Sequence, residues 1–276
     1  MVIIAEPLHA RPRPAAALAW LDNGWPEFVF HDQEAARHLG RIRQLFAGLE
    51  LVLLDDVPNQ PRHHADVRDQ AEHDADVPNQ AEEDDASLET NAEIVAAGWA
   101  VPLRWTGTVD DLPTGYTDSL ARALDAYDAG EPPDTLAILA AQVRPERQGR
   151  GLAGRLLRAL GDLAPARHRV ICPVRPTRKA RYPLTPIDRY ADWLRPDGTP
   201  FDPWLRTHLR SGGRILATAP RSQVIRGSVA EWQHWTGLEY PDSGEYVIPD
   251  GLSTLHVDLD ADQGTYVEPN IWVQHR

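Results

Sequence analysis

Apolar and polar positions alternate along the chain in blocks that predict helices and strands in mixed order. A short apolar run at Glu27–Phe30 reads as a strand. The stretch Gln33–Gly48, with Ala36, Leu39, Leu45 and Phe46 on one side, reads as a helix. Strand-like runs follow at Leu49–Leu54 and Ile94–Pro102, then a helix near Thr117–Tyr127. The apolar run 135–143 predicts a strand. Residues 151–164 predict a helix, because Leu152, Leu156 and Leu160 recur at four-residue spacing with Arg155 and Arg158 among the polar positions. A strand at His168–Val174 completes a β-α-β unit, which points to a mixed sheet in an α/β or α+β domain. Beyond Pro173 the texture changes. Pro173, Pro176, Pro183 and Pro186 punctuate the chain before short helices at Pro186–Leu194 and Pro203–Leu209. A strand near Val224–Arg226 and a helix at Ser228–Trp235 come next. Two closing strands follow, Tyr246–Ile248 and either Leu255–Leu259 or Tyr266–Val273.

One segment lacks any such pattern. Asp56-Val57-Pro58-Asn59-Gln60 returns as Asp76-Val77-Pro78-Asn79-Gln80, with Asp66-Val67-Arg68-Asp69-Gln70 between them. Residues 55–85 hold eleven acids against Arg62 and Arg68. So few apolar groups cannot offset the entropy of ordering, and a disordered acidic insertion is expected at 56–90. Lengthening a hairpin loop to over thirty residues costs only about 2 kcal/mol, so a fold tolerates it. The segment carries most of the net charge of −13. The remaining body is mildly acidic, and no nucleic-acid partner is expected. His63, His64 and His73 read as solvated residues of a polar tract rather than a metal site. The single cysteine, Cys172, excludes an intrachain disulfide and a multi-cysteine metal centre. No apolar run approaches membrane-spanning length, and no basic stretch precedes the short apolar run at the N-terminus. The expectation is therefore a cytoplasmic protein with no membrane association.

Candidate chemistry concentrates in Val143-Arg144-Pro145-Glu146-Arg147-Gln148-Gly149-Arg150-Gly151-Leu152-Ala153-Gly154. A strand, then an arginine- and glycine-rich turn, then a helix presents unpaired backbone amides to a diphosphate. Gly149-x-Gly151-x-x-Gly154 spells a dinucleotide fingerprint, but five residues separate it from the strand's end. The position for an acidic ribose ligand holds Val174 and Arg175, so only an NADP-linked oxidoreductase using Arg175 fits that reading. A P-loop is excluded by the missing Gly-Lys-Ser/Thr. The segment resembles the GNAT superfamily of acyl-CoA-dependent N-acyltransferases. That family's signature, Q/R-x-x-G-x-G/A after a strand ending in V-x-P, is met by Val143, Pro145, Gln148, Gly151 and Ala153, with Gly149 and Gly154 in common variant positions.

The resemblance implies a single GNAT-like domain over 1–276, α/β (α+β), with a mixed, mostly antiparallel central sheet flanked by helices. Residues 230–238 look like the family's late helix, which makes 175–227 a Trp/Pro-rich insertion. Acetyl-CoA is the implied acyl-donor cosubstrate. Its pantetheine arm would pair with the backbone of Ala141, Gln142 and Val143. Its pyrophosphate would lie on the amides of Gln148, Gly149, Arg150, Gly151, Leu152, Ala153 and Gly154. The acetyl group would pass by direct attack, in a ternary complex, to a small-molecule or peptide amine; homo-oligomerisation is left open. Many members carry a late-helix tyrosine that protonates the departing thiolate, whereas the aligned residue here is Trp235, whose indole is too weak an acid. Tyr182 and Tyr190 are the replacement candidates, and Glu27, His31 and Glu231 are candidate bases. His208 and His234 read as structural, and Cys172 as a buried strand cysteine. A CoA binder without turnover is a further alternative.

Overall fold

The computed structural model describes residues 2–10, 20, 24–56 and 92–276. Its strands, in chain order, are β1 (Val2–Pro7), β2 (Glu50–Asp56), β3 (Glu93–Leu103), β4 (Thr135–Val143), β5 (Arg169–Val174), β6 (Arg214–Gly227), β7 (Gly244–Val247), β8 (Thr254–Asp258) and β9 (Gln263–Gln274). They form one sheet in the order β1-β2-β3-β4-β5-β9-β8-β7, with β6 also paired to β9. The helices are α1 (Gln33–Leu45), α2 (Tyr116–Asp128), α3 (Leu152–Asp162), α4 (Ile187–Ala191), α5 (Pro203–Arg210) and α6 (Val229–Thr236). Only β4 and β5 run parallel. That exception follows from the connection between them, since α3 carries the chain back across the sheet.

Each face of the sheet has its own core. On one face Leu152, Leu156, Leu157 and Leu160 of α3 pack on Leu136, Ile138, Val170, Cys172, Val174, Ile271 and Val273. Each buried leucine is worth roughly 1.5–3 kcal/mol, so this stripe holds the first turn of α3 against the end of β4. On the other face Ile42 of α1 and Leu120, Ala123 and Leu124 of α2 cover Ala137, Leu139, Ile171 and Trp272. The buried Asp32 caps α1, accepting from the amides of Glu34 and Ala35, and takes the Thr117 hydroxyl at 2.6 Å. This ties α1 to α2.

Several expectations change. Glu27–Phe30 is not a strand but part of a 3₁₀ turn, Glu27–His31, after Pro26. Of its bulky residues only Phe28 is buried, with its ring centroid 4.9 Å from that of Tyr266 and 5.8 Å from that of Trp232. Without a partner strand, that single anchor sets the conformation. Conversely Val2–Pro7, too short and proline-ended to signal a strand, pairs along β2 as the sheet's edge, a place where proline is tolerated. Both alternatives for the last closing strand form, as β8 and β9. The stretch 175–227 contributes α4 and α5 and then the fourteen-residue β6, which pairs along β9 inside the sheet. In chain order α5 precedes β6, and α6 lies between β6 and β7. Beyond Asp56 the acidic repeat lies outside the described residues; β2 and β3, on either side of it, pair up to Asp55 opposite Glu93. The sheet's single parallel pair also removes the basis for the dinucleotide alternative, whose fold is mostly parallel.

Candidate functional site

β4 and β5 part company early. Their pairing covers Thr135–Ala137 against Arg169–Ile171, after which β5 pairs only with β9. β4 carries a bulge where Trp99 faces Ala140 but Ala100 faces Ile138, leaving Leu139 as the extra residue. A bulge bends its strand, and here the bend begins where β5 is lost. From Ile138 to Val143 one edge of β4 stays bonded to β3, while the other faces a gap at the carboxyl ends of β4 and β5. Ala141 and Val143 pack on the α3 side. Gln142 lies under the segment before α1, its Oε1 accepting from the Trp25 indole at 3.1 Å.

The chain then turns through Pro145–Arg147 into α3. Gly149 and Gly151 both have φ 76°, the left-handed region that glycine enters without strain. A Cβ built on either would meet nothing within 4 Å, so the space in front of both is open. Gly151 is the N-cap of α3 and supplies no side chain to cap it. Among the described residues, no hydrogen bond engages the amides of Gly149, Gly151, Leu152 or Ala153. Unengaged N–H groups at and just before a helix start are an arrangement able to hold an anion. The Gln148 amide is not part of it, because it donates to the Pro145 carbonyl at 3.2 Å. Gly154 sits deeper, where an added Cβ would come within 3.2 Å of Ser211 Oγ at the end of α5.

The nearby arginines divide. Arg147 pairs with Glu93, which raises its guanidinium pKa, and lies 3.5 Å from Asp55. Arg144 donates to the Ile94 carbonyl and lies 3.4 Å from Glu93. Arg150 stays exposed beside the cradle.

The two candidate acids sit in an aromatic cluster with Trp193 and Phe201. The Tyr190 hydroxyl donates to buried Asp202 at 2.9 Å, and burial first, then that carboxylate, pushes its pKa up. Asp202 also caps α5 and accepts from the Arg178 amide. The Tyr182 carbonyl accepts from buried Lys179, whose ammonium burial lowers to about 8 despite the opposing pull of Glu268. Trp235 stacks on His31 with centroids 4.2 Å apart, and His31 itself lies 3.1 Å from Glu27. Glu231 closes a capping box with Ser228. His208 is buried against His275 at 2.8 Å, while His234 is exposed. Cys172 is buried under α3, and burial raises its thiol pKa.

Sequence reasoning missed a polar row on β9. Tyr266, Glu268 and Asn270 are all buried. Glu268 pairs with Arg175 and accepts from the Tyr266 hydroxyl, and Asn270 accepts from Ser222. The signal was present as alternation: polar residues at every second position, continuing into buried Trp272, place those polar groups on the core face.

No protein-family model matches the chain. The chain is 29% identical over 276 residues to an arginine N-acetyltransferase, avaD, of Aspergillus versicolor, an alignment covering 91% of this chain and 84% of the relative. Among solved structures it resembles the loading GNATL domain of CurA from Lyngbya majuscula. The TM-score is 0.50 at 14% identity, over 100% of this chain and 98% of that one. Among the described residues no helix is long and apolar enough to cross a membrane, and no cluster of side chains has metal-holding geometry.

Proposed function

We propose that the chain is a GNAT-superfamily acetyltransferase that moves an acetyl group from acetyl-CoA to a small-molecule amine, with arginine as the acceptor its relative's name suggests. The observation that carries this reading is the set of unengaged amides on Gly149, Gly151, Leu152 and Ala153, beside the unpaired edge of β4. The pyrophosphate lies on those amides, and the pantetheine arm adds as a strand along Ala141, Gln142 and Val143. Micromolar binding needs roughly 8 kcal/mol. The helix dipole supplies about 0.3–1 kcal/mol, so charge-assisted N–H bonds at roughly 1.5–3 kcal/mol each carry most of the grip. The reading takes 1–276 as one domain, with 56–90 as an acidic insertion in a hairpin.

In the transfer, the acceptor nitrogen forms a bond to the thioester carbon and the C–S pair leaves on sulfur. The nitrogen loses one proton before attack and a second as the amide forms, and the thiolate takes one up. Arginine offers two kinds of nitrogen. Its guanidinium stays protonated in water, whereas an α-amine titrates near pH 8 in a peptide, so the α-amine is the nucleophile. Titration calorimetry with acetyl-CoA and thiol release with arginine test the reading together. Micromolar binding with thiol release is expected. Absence of binding overturns it, and binding without release over a panel of amines leaves a CoA binder in its place.

A further inference from the structure

β9 gives one edge to β6 and divides the other. Ile271–Gln274 pair with β5 and Gln263–Tyr266 pair with β8. Residues 267–270 pair with neither, so a window lies between the end of β5 and the start of β8. Register places the window relative to the gap. Ala137 lies beside Ile171, and Val174 lies beside Ile271, so residue 175 falls at about the height of Ala141 to Gln142, the bulge at Leu139 adding one residue to β4. That is where the proposed pantetheine arm would bring the thioester.

Arg175 stands in this window. Its Nε donates to Glu268, and its Nη2 donates to the Asp250 carbonyl at 2.7 Å. Glu268 is held in turn by the Tyr266 hydroxyl, which accepts from the Leu252 amide at 2.7 Å. Glu268 and Tyr266 are fully buried, while the Arg175 side chain keeps 18% of its surface. Among the described residues Nη1 makes no hydrogen bond. The guanidinium is therefore oriented on two sides and has one donor nitrogen left over. A cation already ordered in this way loses little entropy on receiving a planar anion.

We propose that Arg175 receives the carboxylate of the acceptor, which makes the acceptor class an α-amino acid rather than a simple amine. The proposal rests on the acetyl-transfer reading above. In an α-amino acid the amine and the carboxylate share one carbon, so a carboxylate on Arg175 sets the nitrogen at the height of the thioester. The CoA phosphates do not compete for Arg175, because their cradle lies past the end of β4. Glu268 and the Asp250 carbonyl act through the guanidinium and are positioning groups.

The test compares three acceptors by initial rates of thiol release. L-arginine carries the carboxylate. Agmatine keeps the same nitrogen and guanidine but lacks the carboxylate, and L-argininamide replaces it with a neutral carboxamide. The two analogues shift the amine's basicity in opposite directions, so a common deficit isolates the lost charge. A charge-assisted hydrogen bond corresponds to a preference of roughly 10- to 100-fold in kcat/KM for arginine over both. Arg175→Lys keeps a cation for Glu268 but loses the fork, and the arginine-over-agmatine ratio should fall toward one while acetyl-CoA affinity holds. The double variant Arg175→Met/Glu268→Gln removes both partners of the ion pair and should lose the preference equally, with thermal melting to verify the fold because buried Lys179 also loses the pull of Glu268. Equal use of all three acceptors by the native enzyme overturns the proposal. So does a loss of acetyl-CoA affinity in Arg175→Lys, which would put Arg175 in the cofactor grip. A failure of this proposal alone shows as intact binding and turnover without preference. Native protein that binds no acetyl-CoA overturns the parent reading as well.

Discussion

Gly151→Asp separates the cost of folding from the cost of binding at the cradle. Gly151 has φ 76° and ψ 3°, and a side chain there meets nothing within 4 Å. The unliganded fold therefore bears only conformational strain, about 1–2 kcal/mol for an ordinary residue and less for aspartate. In a chain of this size that is roughly 2–8 °C of Tm. The bound state loses more. A carboxylate about 4 Å from one phosphate charge is repelled by about 1–4 kcal/mol between dielectric 80 and 20. The new side chain also holds the anion off amides that contribute roughly 1.5–3 kcal/mol each. Together these amount to at least about 3–5 kcal/mol, or roughly 10²- to 10⁴-fold in the acetyl-CoA Kd. Gly151→Ala carries the strain and the displacement without the charge, so it should fall between native and aspartate. The difference between the two variants is coulombic. It should shrink as salt rises from about 0.1 M to about 1 M, where the Debye length falls from roughly 10 Å to roughly 3 Å. Titration calorimetry reads the affinities, and thermal melting verifies the fold. An aspartate variant that melts near native temperature and binds acetyl-CoA with native affinity refutes the cradle assignment.

Three further outcomes follow from the geometry. Tyr190→Phe removes the hydroxyl held by Asp202 and should cost about 1–3 kcal/mol of stability with kcat unchanged; a large fall in kcat without loss of folded protein would restore Tyr190 as the acid. Because β2 and β3 pair up to Asp55 and Glu93, replacing 57–91 by a short turn should leave acetyl-CoA affinity intact, and lost affinity in folded protein would give the segment a role in binding. Burial lowers the pKa of His208 and of His275 below the usual histidine value, so the unfolded chain binds more protons than the native one just below pH 6.5. Stability should therefore be full above that pH and decline as pH falls through it, and a denaturant midpoint that stays flat from pH 7.5 to 5 would contradict the buried pair.

What could be read from the sequence depended on whether the signal was local. The motif from Val143 to Gly154 announced itself because strand, glycines and helix are adjacent and each conformation is demanded by its own residues. The leucine spacing of α3 likewise needed no distant partner. The edge strand Val2–Pro7 gives no such signal, since its pairing with β2 is set by residues more than forty positions away. Glu27–His31 misled for the opposite reason, because its apolar run serves one buried ring rather than a ladder. The assignment of 175–227 as an insertion followed from aligning 230–238 with the late helix. The stretch 175–227 also holds β6, a full strand of the sheet, which its irregularity, with register shifts near Ile215 and Ala219, did not signal. The sequence offered Arg175 only as a residue after a strand that an NADP-linked alternative would use. The ion pair that orders it is visible only when β9, almost a hundred residues later, brings Glu268 beside it.

The tryptophan at position 235 is therefore weak evidence against turnover. It was aligned with a tyrosine that protonates the thiolate, but it lies on α6, stacked on His31, and the preceding helix in the fold's order is α5. A thiol of ordinary pKa near 8.5 already makes a competent leaving group at neutral pH, so an added acid at pH 7.5 works against a difference of only about one unit. The harder requirement is on the other side of the carbonyl. An amine must arrive deprotonated and aligned, because a tetrahedral adduct that keeps both protons on nitrogen expels the amine again. Alignment is what the proposed role of Arg175 would supply, and alignment contributes more to such a reaction than one proton transfer does. An acceptor held by its carboxylate at that height needs no phenol on α6. On the proposed reading, the tryptophan at position 235 and the ordered arginine after β5 are two aspects of one arrangement.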